Sequence, residues 1–232
     1  MTEGTMDCSE VILRLHQSAR PDALEGMSRY GISTARALGV SIPELRKLAK
    51  ELGKYPSLAA ELWNTGLHEA RILATLIDDP SRVTTAQMEA WVKDFDSWDL
   101  CDQCIMNLFA LVPGAEHKAV EWTTRPEEYV KRAGFVIMAR LASSNREAPG
   151  SLFETFLPLI EREAEDSRNY VKKGVNWALR EIGNRNTRLN ALARESARRL
   201  AQSGSASARW VGRDAMRELE RKAAGGRLRN IG

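Results

Sequence analysis

EEYVKRAGFVIMARLASSN (127–145) and RNYVKKGVNWALREIGNRN (168–186) align at a spacing of 41 residues. Tyr129, Val130 and Lys131 recur as Tyr170, Val171 and Lys172; Arg132 becomes Lys173, Leu141 becomes Ile182, and Asn145 becomes Asn186. A further 40 residues on, ARWVGRDAMRELER (208–221) puts Trp210, Val211 and Arg213 in the same places. A period of about 40 residues with two helices in each copy predicts a HEAT-type α-solenoid. Each copy of such an array buries its apolar side only against its neighbours and leaves a long concave surface.

The rest of the chain agrees with an all-α fold. SIPELRKLAKEL (41–52) begins with Ser41 as N-cap, Pro43 in the first turn and Glu44 at capping-box spacing. TTAQMEAWVKDF (84–95) pairs a threonine cap with Gln87. Pro56, Gly66, Pro80, Pro113-Gly114, Pro126 and Pro149-Gly150 cut the chain into helices of about 10 to 17 residues. We expect one domain over 1–232, with frayed ends at about 1–6 and 224–232.

The faces of the repeat helices separate at 100° per residue. Val130, Ala133, Gly134, Ile137 and Leu141 share one face, which predicts core, with Arg132, Val136 and Ala139 roughly opposite. In the next copy Val171, Val175, Ala178 and Ile182 mark the core side, and Lys173, Trp177 and Arg180 lie opposite. A tryptophan between two cations, away from the main apolar stripe, suits a ligand surface; it also suits packing on the partner helix of its own repeat.

Composition bounds the function. The chain has 232 residues, 43% hydrophobic and 28% charged, as in an ordinary globular protein. No run approaches the roughly 18 uncharged apolar residues of a membrane helix. The acidic start MTEGTMDCSE does not read as a signal peptide, and three cysteines fit a reducing cytoplasm. The net charge of +3 hides a split: 168–232 holds 16 Lys or Arg against 5 Asp or Glu, and 1–167 holds 18 against 26. A basic half suggests a polyanion, nucleic acid first, or else a solvated set of arginine-rich faces.

DFDSWDLCDQC (94–104) carries four aspartates. Ser97 or Asp96 reads as the cap of a helix running to about Val112, so Asp94, Asp96 and Asp99 read as loop and cap residues. Asp102 lies a turn inside. Leu100, Cys104, Leu108 and Leu111 form one apolar stripe, and Trp98, Asp102, Ile105 and Phe109 another. A carboxylate between aromatic groups loses hydration, which raises its pKa. It marks a site, or it pairs with a cation of a neighbouring repeat such as Arg132. Cys101 and Cys104 have no second ligand pair for structural zinc, so they read as small residues of a packed helix, and no metal or cofactor is expected.

In these blocks the chain resembles the AlkD-like DNA alkylation repair proteins, HEAT-like-repeat DNA glycosylases. The resemblance runs from MSRYGIS (27–33) and ALGVSIPELRKLAK (37–50) through HEARILA (68–74), SWDLCDQC, YVKRAGF and VKKGVNWALREIG. It implies a right-handed superhelix with a basic concave groove that holds duplex DNA. It also implies hydrolysis of the N-glycosidic bond of cationic alkylated purines such as N3-methyladenine and N7-methylguanine. Carried over by motif, the catalytic aspartate falls on Asp102, the backbone-contacting tryptophans on Trp98 and Trp177, and the cleft arginine on Arg132. Lys173, Arg213 and Arg217 are expected to hold phosphates beside them. Ser97 stands where some members have a second tryptophan. A cytoplasmic monomer acting on alkylated double-stranded DNA is the expectation. A non-catalytic solenoid binding damaged or branched DNA, or a protein-binding scaffold, has the same architecture.

Overall fold

A computed structural model gives the structure of the protein and describes residues 6–226 and 228. Among the described residues all regular structure is helical. The expected frayed ends fall largely outside the described residues, although the last helix runs to Ala224. The chain divides into two compact units, Met1–Pro113 and Gly114–Gly232.

The first unit holds α1 (Cys8–Gln17), α2 (Pro21–Arg29), α3 (Ile42–Leu52), α4 (Pro56–Asn64), α5 (His68–Ile77), α6 (Thr85–Val92) and α7 (Trp98–Asn107). Local chemistry sets the helix starts. Ser41 and Glu44 form the capping box of α3, Thr84 accepts from the Gln87 N–H at α6, and Pro56 opens α4. Helix α5 is the hub, packed by α3, α4 and α7. Nearby, Trp63 stacks on Trp91 with centroids 3.9 Å apart.

Helix α7 is shorter than its apolar stripe predicts. It ends at Asn107, Leu108 leaves helical dihedrals (φ −135°, ψ −68°), and Phe109–Leu111 form a 3-10 turn. The break lets Leu108 and Phe109 both enter the core, with Phe109 6.2 Å from the Trp91 ring, and turns Leu111 out to solvent. Phe109 is thereby taken off the helical stripe that would set it beside Asp102.

The second unit holds α8 (Ala115–Trp122), α9 (Glu128–Ser144), α10 (Gly150–Glu163), α11 (Asn169–Gly183), α12 (Thr187–Ala201) and α13 (Ala206–Ala224). Helix α11 packs between α9 and α13, while α8 lies on α9 and α12 on α13. The repeat becomes a physical row: Val130, Val171 and Val211 are all buried. Beside the valines, the Tyr129 and Tyr170 rings lie 5.8 Å apart, and Lys172 Nζ sits 4.9 Å from the Trp210 ring. This is the HEAT-like helical repeat fold.

Side chains also clamp one repeat to the next. Arg168 donates to the Pro126 carbonyl at 2.6 Å and pairs with Asp166 at 2.6 Å, holding that carboxyl down at about 2. Arg185 donates to the carbonyls of Ala142 (3.1 Å) and Ala148 (2.7 Å). Lys131 reaches Glu163 at 2.7 Å.

Two glycines separate packing from propensity. At Gly212 in α13 a Cβ would sit 2.4 Å from Ala201 N and 2.5 Å from Ala197 O, so α12 and α13 touch through it. Gly212→Ala should force these backbones apart and cost about 1–3 kcal/mol. Gly26 in α2 has nothing within 4 Å of such a Cβ, so Gly26→Ala should stabilise by about 0.5–1 kcal/mol. Urea unfolding of both variants measures the contrast; equal effects of one sign would contradict this packing.

Candidate nucleic-acid interface

Helix α7 sorts the residues of DFDSWDLCDQC. Leu100, Cys101, Cys104 and Ile105 are buried on its inner side. Burial pushes the Cys104 thiol well above its ordinary value, which leaves it unreactive. Trp98 and Asp102 lie one turn apart on the outer side, both half-buried. The Trp98 indole N–H donates to the Tyr30 carbonyl at 2.9 Å, so the loop after α2 fixes its plane. Tyr30 itself is largely exposed there. Sequence reading did not single Tyr30 out, although it stands in the MSRYGIS block.

The three remaining aspartates stand at the expected loop and cap places, Asp94 and Asp96 between α6 and α7 and Asp99 in the first turn of α7, but two of them also have tertiary partners. Asp94 accepts from the Trp63 indole at 2.9 Å and pairs with Arg71 at 3.3 Å. Asp99 pairs with His68 Nε2 at 2.9 Å, with side-chain exposures of 15% and 5%. Burial alone would raise the Asp99 carboxyl, but the His68 hydrogen bond and charge outweigh it and hold Asp99 below its ordinary value. Burial likewise works to lower His68, and Asp99, Glu69 and Asp96 overcome it, so its pKa is raised. Asp96 is an exposed loop residue beside the N-cap Ser97. The neighbouring Glu69 is buried and accepts from the N–H groups of Leu38 (2.9 Å) and Gly39 (2.7 Å), tying down the chain before α3. The HEARILA block is therefore a structural anchor.

In the second unit Arg132, Lys173 and Arg213 stand at equivalent places on α9, α11 and α13, but their surroundings differ. Arg132 was expected on an open face, yet only 5% of it is exposed. Its Nη1 donates to the Tyr170 carbonyl at 2.6 Å and its stem lies on Gly174, where a Cβ would be 3.5 Å from Cγ. Val136 and Ala139, placed roughly opposite the core stripe, are buried too, and α9 packs against both α8 and α11. Lys173 and Arg213 are exposed and have no carboxylate partner among the described residues. Trp177 is half-buried, and its indole N–H donates to Glu181 Oε1 at 3.2 Å one turn along α11. Arg217 is exposed and paired with Asp214 at 2.6 Å. Among the described residues no cluster of three His, Cys, Asp or Glu could hold a metal, and no helix is long and apolar enough to cross a membrane.

The His68–Asp99 pair predicts a pH window. The raised His68 contributes stability that is complete below its ordinary 6.5 and is lost as pH rises through the folded value. The lowered Asp99 contributes stability above its ordinary 3.8, lost as pH falls through its folded value. Asp99→Asn should thus cost most between these values, about 4 kcal/mol near pH 5.5, and less, about 2 kcal/mol near pH 8.5, where the imidazole is neutral and a hydrogen bond to the ionised carboxylate remains. Denaturant titrations at the two pH values give the comparison; equal losses would mean that His68 keeps the same charge at both.

The sequence matches the family of the DNA alkylation repair enzyme over residues 11–219. No curated protein matches the chain. Among solved structures, one described as "a new family of proteins related to the HEAT-like repeat DNA glycosylases with affinity for branched DNA structures" superposes with a TM-score of 0.80 at 18% identity, covering 96% of each chain. An engineered protein covers 94% of each chain at 15% identity, but with a TM-score of 0.45 it carries no weight. With the helical repeats in place and the match spanning nearly the whole sequence, the chain belongs to the DNA alkylation repair enzyme family.

Proposed function

We propose that the protein is a monofunctional DNA glycosylase that hydrolyses the N-glycosidic bond of cationic alkylated purines in duplex DNA. The observation that carries this reading is the outer side of α7, where Trp98 and Asp102 stand one turn apart and the Tyr30 carbonyl fixes Trp98. A cationic alkylpurine is already a good leaving group, so the reaction needs no strong general acid. The sugar gains oxocarbenium character as the bond breaks. The Asp102 carboxylate stabilises that charge and orients the attacking water, whose oxygen bonds to C1′ as the C1′–N bond breaks and the neutral base departs, and whose proton passes to the carboxylate and on to solvent. Trp98 and Trp177 offer flat apolar surfaces for the deoxyribose and phosphate backbone. Lys173, Arg213 and Arg217 hold phosphates, and Arg132 contributes its charge from within the repeat.

One observation favours a second reading, a solenoid that binds damaged or branched DNA without excision. Arg132 is enclosed and spends a donor on the Tyr170 carbonyl, rather than presenting its whole guanidinium outward. The solved relative is itself described by its affinity for branched DNA.

Single-turnover release of 7-methylguanine from methylated duplex DNA decides between the two. Asp102→Asn should fold normally, bind DNA with near wild-type affinity and release base about 100- to 1000-fold more slowly. A folded Asp102→Asn protein with full activity would remove the residue from the mechanism, and a wild type without release would leave the second reading. Lys173→Ala and Arg213→Ala should each lower the log–log salt slope of duplex binding by about 0.9. Unchanged slopes would place these cations off the DNA.

A further inference from the structure

The open side of α13 carries an aromatic feature, Trp210, that base excision does not use, beside cations that it does. Arg209, Trp210, Arg213, Met216 and Arg217 line a groove of about 710 Å³ with Ala206 at its edge. Trp210 is the large aromatic residue of this groove, and 39% of it is exposed. Its repeat equivalents Tyr129 and Tyr170 lie against each other at 5.8 Å, whereas Trp210 meets Lys172 at 4.9 Å and opens onto the groove. An aromatic face this open on a basic surface is costly to hydrate and well suited to stacking.

The cations of the groove are arranged in three different ways. Arg209 is held by the carbonyls of Ser203 (2.9 Å) and Gly204 (2.7 Å), which orient the guanidinium without neutralising it. Arg217 is offset by Asp214 at 2.6 Å. Arg213 is exposed and has no carboxylate partner among the described residues. Three arginines against one aspartate leave the groove positive. A flat ring, a methionine and unbalanced guanidinium charge within one groove match a nucleobase joined to a phosphate. Bases inside a duplex offer their faces to each other, so only an unpaired base can stack on the indole.

We propose that this groove binds an unpaired nucleotide of DNA next to the duplex, with its base stacked on Trp210 and its phosphate on Arg213. The proposal deepens the DNA-binding reading above and rests on it: the same protein that holds duplex DNA also takes a flap or a displaced base. It requires no excision chemistry.

The test compares the full-length protein on a blunt duplex and on the same duplex with a single-stranded extension carrying 2-aminopurine. The wild type should bind the extended DNA more tightly, on the order of 10-fold, and quench the 2-aminopurine by stacking. Trp210→Ala should abolish the gain and the quenching while leaving blunt-duplex affinity unchanged. Trp210→Phe should keep a part of both, which separates lost stacking from misfolding. Arg213→Ala should reduce the gain as well as duplex affinity. Equal wild-type affinity for the two DNAs, or a gain that survives in Trp210→Ala, overturns the proposal and leaves the duplex reading standing. Failure to bind either DNA overturns both.

Discussion

Everything in the second unit depends on the packing of α9, α11 and α13 through Val130, Val171 and Val211. None of these helices can cover its apolar side alone, so the repeat must stack at one register. That register also fixes the cations. Two residues beyond each valine the helix has turned about 200°, which places Arg132, Lys173 and Arg213 away from the valine row. What each then meets depends on its neighbours. Arg132 meets the backbone of α11 and is enclosed, whereas Lys173 and Arg213 meet solvent. Identical positions in the repeat therefore yield one buried donor and two open charges.

The fold was legible where its cause is local or periodic. Caps such as Ser41 with Glu44, and Thr84 with Gln87, involve residues three apart, so sequence alone exposes them. The repeated valines and tyrosines expose the register of the second unit. The end of α7 was not legible, because no glycine or proline stands between Ser97 and Val112 to announce it. Tertiary burial of Leu108 and Phe109 ends that helix, and helical periodicity carries no sign of it.

The site was legible in part, for the same reason. The spacing of Trp98 and Asp102 is a property of one helix and could be read directly. The partners of Asp94 and Asp99 could not. Trp63 with Asp94, His68 with Asp99, and Leu38 with Glu69 are each separated by 31 residues. This constant separation shows regular layering of the first unit, but three chemically different polar pairs carry it. An alignment of like residues has nothing to match there.

Charge counting has a similar limit. The excess of 16 cations over 5 acids in 168–232 does not say which cations face an anion. Arg180 spends its charge on Glu218, and Arg199 on Glu161. Arg209 is different, because its carbonyl acceptors fix the guanidinium while leaving its full positive charge in place. Such a group costs little further ordering when a phosphate arrives, since its side chain is already held. A lysine could not be held in this way by two carbonyls and still present a planar face. The arginines of the last repeats thus do two kinds of work. Arg180, Arg185 and Arg199 tie neighbouring helices of the stack together, and Arg209 and Arg213 set the sign of its surface.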